Sequence, residues 1–126
     1  MIGVTYDGGA LAAAARRDRK FWAIHALLLA AGVRPTVPAE AVAQVWRGGR
    51  QLSLVRALRG CSVEGLDEAR AKEVGVACRR AGGADTRDVA LVVGALRRGD
   101  AVVTSHPDDM ARIAGALGRE LVVERV

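Results

Sequence analysis

Six acidic side chains fall where this sequence turns from a strand-like run into a helix-like one, or in the opening turn of a helix: Asp7, Glu40, Asp85, Asp88, Asp108 and Asp109. Carboxylates gathered at one edge repel one another unless a cation lies between them, and Mg²⁺ and Mn²⁺ prefer such an all-oxygen environment. One or two of these ions orient a phosphodiester and activate a water for in-line attack. Each acid also has a plainer use. Asp85 and Asp88 have the spacing of N-cap and N3 positions, and Asp108 or Asp109 favours a helix start through the dipole. Glu40 and Gln44 lie four apart on one helical face, which serves a shared crevice or an ordinary exposed stripe. Asp7 is harder to explain that way. An acid closing a buried strand is desolvated, and is tolerated when it is paired, hydrogen-bonded or metal-bound.

Strand-like and helix-like runs alternate along the chain, which predicts an α/β domain with a mainly parallel sheet. Strands are expected over 2–6, 33–37, 62–66, 101–104 and 121–126. Helices are expected over 10–17, 19–31, 38–46, 50–59, 67–80 and 85–98, with a last one opening at 105–109. Gly32 suits the position after a helix end, Pro38 suits a first helical turn, and Gly48-Gly49 is a stop. In an open parallel sheet the ligand crevice lies beyond the carboxyl ends of the strands. The strands ending at Asp7 and Ser105 both deliver polar residues there.

At 126 residues, with 51% apolar and 26% charged, the chain predicts one domain, 1–126, with a sizeable core. The uncharged run 21–33 falls short of the roughly 20 residues of a bilayer span, and no basic-then-apolar leader opens the chain. A cytoplasmic protein without a membrane partner is expected. Cys61 and Cys78 have no zinc-ligand or disulfide-framework spacing and read as small buried hydrophobes. Nineteen bases against fourteen acids give a net charge of +5, which favours a polyanionic partner, although all but Lys20 and Lys72 are Arg, as codon preference would also produce. The four aromatics, Tyr6, Phe21, Trp22 and Trp46, are not interleaved with bases as in an RRM or OB-fold platform. No glycine-rich nucleotide-binding loop follows any strand, which disfavours a small nucleotide-binding protein.

Four segments in order carry a resemblance: Val4-Thr5-Tyr6-Asp7-Gly8-Gly9-Ala10-Leu11; Val37-Pro38-Ala39 leading to Gln44-Val45-Trp46-Arg47-Gly48-Gly49; Asp85-Thr86-Arg87-Asp88-Val89-Ala90; and Val102-Val103-Thr104-Ser105-His106-Pro107-Asp108-Asp109. Over nearly its whole length the chain resembles the PIN-domain family, and within it the VapC-like ribonucleases of bacterial toxin–antitoxin pairs. The resemblance implies a three-layer α/β/α domain, a Mg²⁺ or Mn²⁺ site built from four acids, endoribonuclease activity on RNA, a cognate antitoxin and a homodimer. Asp7 matches the first family acid and Asp88 the third. The second falls on Gln44 and the fourth on His106, so Glu40, Asp85 and Asp108 or Asp109 are candidates to complete the metal shell.

Other residues around these motifs read two ways. Thr104 and Ser105 suit contact with a phosphate or with the acids, and equally helix capping. Arg47 suits an RNA phosphate or a solvated helix end. His106 suits a metal ligand, a general acid or base, or a surface N-cap. His25 reads as structural, Trp22 and Trp46 as core or interface, and Trp22 as a candidate antitoxin contact. Two functions therefore stand: a metal-dependent ribonuclease, or a fold with a degenerate acidic site that binds antitoxin or RNA without cleaving.

Overall fold

The computed structural model describes residues 2–126. Five parallel strands form one open sheet in the order β3-β2-β1-β4-β5: β1 (Val4–Tyr6), β2 (Thr36–Pro38), β3 (Ser62–Glu64), β4 (Ala101–Thr104) and β5 (Val123–Arg125). Between β1 and β3 run α1 (Gly8–Ala15), α2 (Arg19–Ala30), α3 (Ala39–Val45) and α4 (Leu52–Arg59). Then α5 (Glu68–Ala81) and α6 (Thr86–Arg98) lead into β4, and α7 (Pro107–Ala116) into β5. The architecture is a three-layer α/β/α sandwich, and the sheet does not close into a barrel.

Side-chain alternation along the strands builds the layers. Tyr6, Val37 and Val103 pack with Leu11, Phe21 and Leu54 on one face, while Val102 packs with Val74, Val92, Met110 and Ile113 on the other. Neighbouring Val102 and Val103 thus serve opposite cores, as the period of two requires. Each large fully buried side chain, Tyr6, Phe21 or Leu54, contributes roughly 1.5–3 kcal/mol of transfer free energy. The Tyr6 hydroxyl meets His25 Nδ1 at 2.7 Å inside the first core, and His25 stacks on Phe21 with ring centroids 5.4 Å apart. His25 Nε2 is buried with no hydrogen-bond partner among the described residues.

Strand order makes the crevice. The chain steps outward from β1 to β2 to β3, then crosses back to lay β4 on the other side of β1. Loops leave β1 and β4 in opposite directions, opening a cleft at their carboxyl ends. Because α6 leads into β4, its last turn lies at the strand start, where Arg98 donates to Asp100 at 2.9 Å and to Thr5 at 2.9 Å. Its first turn, carrying Asp85 and Asp88, lies at the opposite, carboxyl edge.

The strands are shorter than their apolar runs predict. Ile2 is exposed, and Gly3 O begins the pairing by accepting Ala101 N at 2.9 Å. Pro38 is the last residue of β2 and the N-cap of α3 instead of a residue in its first turn. Helix α3 ends at Val45, and Trp46 is already extended. Among the described residues no helix is long and apolar enough to cross a membrane.

Candidate functional site

Asp7 follows β1 and caps α1. It is only 5% exposed, its Oδ1 accepts Ala10 N–H at 2.7 Å, and its Oδ2 accepts the Thr104 hydroxyl. Thr104 Oγ in turn accepts His106 N–H at 2.9 Å, so one fully buried threonine links the ends of β1 and β4. Burial pushes the Asp7 carboxyl above its ordinary range. The Thr104 hydrogen bond, the Ala10 amide, the positive charge available at His106 and the Gly9 amide pull it back in part.

Asp88 is half-buried in the first turn of α6. Its carboxyl is also raised, first by burial, then by the charges of Asp85, Asp7 and, more weakly, Asp109, with Arg87 opposing. The acids of β1, α6 and α7 therefore face one electrostatic space. They differ in how they are engaged. Asp85 caps α6 and forms a two-pronged pair with Arg87 at 3.1 Å on both prongs, which holds it below the usual carboxylate range. Asp109 is exposed and bonded to Arg112 at 3.2 Å, and Asp108 is exposed beside it.

Two glycines let the neighbouring chain close over Asp7. A Cβ on Gly8 would collide with the Gln44 amide oxygen, and one on Gly9 with the Ser105 hydroxyl. Gln44 from α3 and Ser105 after β4 therefore flank the start of α1. Glu40, a helical turn before Gln44, lines the open groove at the crevice mouth with Gln44, Arg47 and Arg87. Arg47 closes the end of α3, donating to the carbonyls of Trp46 at 2.7 Å, Gln44 at 2.8 Å and Ala43 at 3.2 Å. His106 is the N-cap of α7 without a side-chain capping bond, and is exposed. Trp22 is tied into its own domain, donating to Ala14 O at 3.2 Å beneath the Arg56 guanidinium.

Chemically, the crevice offers two carboxylates in repulsion, a neutral amide oxygen and two hydroxyls. Among the described residues no three His, Cys, Asp or Glu side chains come together as a cage for an ion. Asp7 and Asp88 are the residues that could hold an ion which keeps much of its water and needs only one or two carboxylates, as Mg²⁺ does. An ionised carboxylate has about four lone-pair sites, so the Asp7 carboxylate keeps acceptor capacity beyond its bonds to Ala10, Thr104 and Gly9. The twofold use of Thr104 and the glycine approaches escape a reading by residue type alone, although the Gly8-Gly9 pair directly after a strand acid is a signal of close packing.

No family model and no curated protein matches the chain. Among solved structures, PAE2754 from Pyrobaculum aerophilum is similar in fold, with a TM-score of 0.63 over 97% of this chain and 83% of that one. At 14% sequence identity the likeness is one of fold.

Proposed function

We propose that this chain is a divalent-metal-dependent endoribonuclease of the PIN, VapC-like kind, the toxin of a type II toxin–antitoxin pair that acts in the cytoplasm as a homodimer. The observation that carries the reading is the approach of Asp88 to Asp7 from a different element: after burial and Asp85, the charge of Asp7 raises the proton affinity of Asp88 at the sheet's switch point. A site that strains to hold two negative charges is one that a Mg²⁺ or Mn²⁺ ion relieves.

Asp7 and Asp88 would hold the ion, with Gln44 Oε1 and Glu40 completing the shell directly or through water. When bound, the ion orients the phosphodiester and lowers the pKa of a water. Thr104 fixes the Asp7 carboxylate, and the Ser105 hydroxyl beside it serves as a donor to a phosphate oxygen. His106, exposed at the start of α7, supplies an imidazole beside the crevice. An antitoxin would inhibit by filling this crevice, with an Arg against the paired acids.

A second reading, a module that binds antitoxin or RNA without turnover, is favoured by one observation: no third carboxylate joins Asp7 and Asp88 as a direct ligand cluster among the described residues. Incubating the purified protein with a mixed single-stranded RNA pool in Mg²⁺, Mn²⁺ or EDTA, beside Asp7→Asn, separates the two. Metal-dependent cleavage abolished by Asp7→Asn is expected. Folded protein that cleaves in no condition sinks the ribonuclease reading in favour of the binding module.

A further inference from the structure

A chain of contacts leads out of the crevice along the loop between α3 and α4. Gln44 covers Gly8 next to Asp7, and Trp46 and Arg47 follow it. The backbone N–H of Arg47 donates to Gln51 Oε1 at 2.7 Å, and Gln51 Nε2 donates to Val45 O at 3.3 Å, so the loop closes on itself. Its turn uses Gly48 and Gly49 at φ 78° and 69°, a conformation suited to glycine. Two residues beyond Gln51, the Ser53 hydroxyl accepts Arg17 Nε at 3.4 Å. Arg47, Arg50 and Arg17 thus succeed one another over the surface, and among the described residues none pairs with a carboxylate. Arg47 is held by three backbone carbonyls and Arg17 by the Ser53 hydroxyl, neutral partners that position the charge without pairing it with a carboxylate. A groove of about 240 Å³ is lined by Arg17, Arg50, Gln51 and Ser53, and the groove at the crevice mouth includes Arg47. Trp46, next to Arg47 in the sequence, is 40% exposed.

Cations in sequence with an exposed indole match a single strand, whose phosphates meet the charges and whose unpaired bases stack. The crevice itself needs such a neighbour, because its carboxylates repel a polyanion. We infer that residues 46–53, with Arg17, form the track for the single-stranded RNA that flanks the phosphodiester at the crevice. Arg47, Arg50 and Arg17 hold successive phosphates, and Trp46 stacks on a base. The identity of the strand as substrate rests on the ribonuclease reading.

The test is fluorescence anisotropy with a short fluorescein-labelled single-stranded RNA of mixed sequence, in EDTA at low salt. Arg50→Ala, and Arg17→Asn, which tolerates the positive φ of that position, are each expected to weaken binding several-fold for any sequence. Each lowers the slope of log affinity against log salt by about 0.7. Trp46→Leu weakens binding roughly tenfold with little change of slope. Arg119→Ala, beside α5 on the other side of the sheet, leaves binding unchanged. Wild-type affinity and slope in the Arg17, Arg50 and Trp46 variants overturn the track, and if the wild type also cleaves, the ribonuclease reading survives. Binding that depends on these residues without cleavage in Mg²⁺ or Mn²⁺ supports the track and removes the ribonuclease. A wild type that binds no RNA overturns both.

Discussion

The Thr104 hydroxyl donates to Asp7 Oδ2 across 97 residues of sequence, so the last residue of β4 holds the acid that follows β1. The Thr104 hydroxyl oxygen also accepts His106 N–H, which fixes the direction in which the chain leaves β4. One side chain thereby aligns both walls of the crevice.

Thr104→Val keeps the branched shape and removes both hydrogen bonds. Asp7 Oδ2 and the His106 amide each lose a partner, a cost of roughly 1–3 kcal/mol. Burial already raises the Asp7 carboxyl, and Thr104 is the strongest influence holding it down, so its pKa rises further. Urea unfolding should show the loss, and Thr104→Ser should recover most of it. Equal stability of the Val variant and the wild type would mean that the bridge carries no weight.

Asp7→Asn should separate stability from activity. The folded pKa of Asp7 lies above its ordinary value of 3.8 because of burial, so the native state holds the proton more tightly than the unfolded chain. The stability this contributes is complete below the unfolded pKa and is lost as pH rises through the folded one. At neutral pH the ionised side chain therefore opposes folding, and Asn caps a helix about as well as Asp. The variant is expected to melt higher than the wild type near pH 7, with the gap narrowing in acid. On the ribonuclease reading, cleavage falls by at least about a hundredfold, the upper scale on which even an outer partner of a metal ligand acts.

His25 sets an acid limit of a different sign. Burial lowers its pKa from the ordinary 6.5, so below that value the unfolded chain takes up a proton that the folded one resists. Its contribution to stability is present above the unfolded pKa and is lost as pH falls through the folded pKa, at no more than about 1.4 kcal/mol per pH unit. The Tyr6→Phe, His25→Leu double variant removes both members of the buried pair, leaving neither unpartnered. Its melting temperature should vary less than that of the wild type between about pH 5 and 7, the range in which an imidazole titrates. An unchanged pH profile in the double variant would exclude His25 as the source.

Periodicity and punctuation reveal much of this fold. The acids of α6 and α7 and the glycines after α2 and α6 mark helix ends because they act through local capping and backbone geometry. Strand limits are less legible: Ile2 and Val33 read as strand, but pairing depends on the neighbour each strand meets, and β1 and β2 share only a short register at Thr5 and Thr36. For the site, Asp7 is legible because an acid closing a buried strand demands compensation. The source of that compensation is not, since Thr104 reaches Asp7 only through the β1–β4 register. Spacing reads Asp85 and Asp88 as N-cap and N3, without showing which of them is desolvated. Pairing with Arg87 turns one into a cap, while burial leaves the other the more strained carboxylate.

Gln44 and His106 provide the most direct test of the acidic crevice, because each stands where the resembled family carries an acid. Gln44→Glu combined with His106→Asp adds two negative charges beside Asp7. Without metal this deepens the repulsion, raises the carboxyl pKa values and lowers the melting temperature near pH 7. With Mn²⁺ the added ligand charge favours the ion, and an affinity gain of at least about tenfold is expected, since affinity for a hard cation follows the number of charged oxygen ligands. Bound ion stabilises the folded state alone, so saturating Mn²⁺ should lift the double variant more than the wild type. Calorimetric titration and melting curves with and without Mn²⁺ read both effects, and neither depends on cleavage. A double variant that Mn²⁺ neither binds nor stabilises would show that the acids of β1 and α6, even when reinforced, are not arranged to hold a cation.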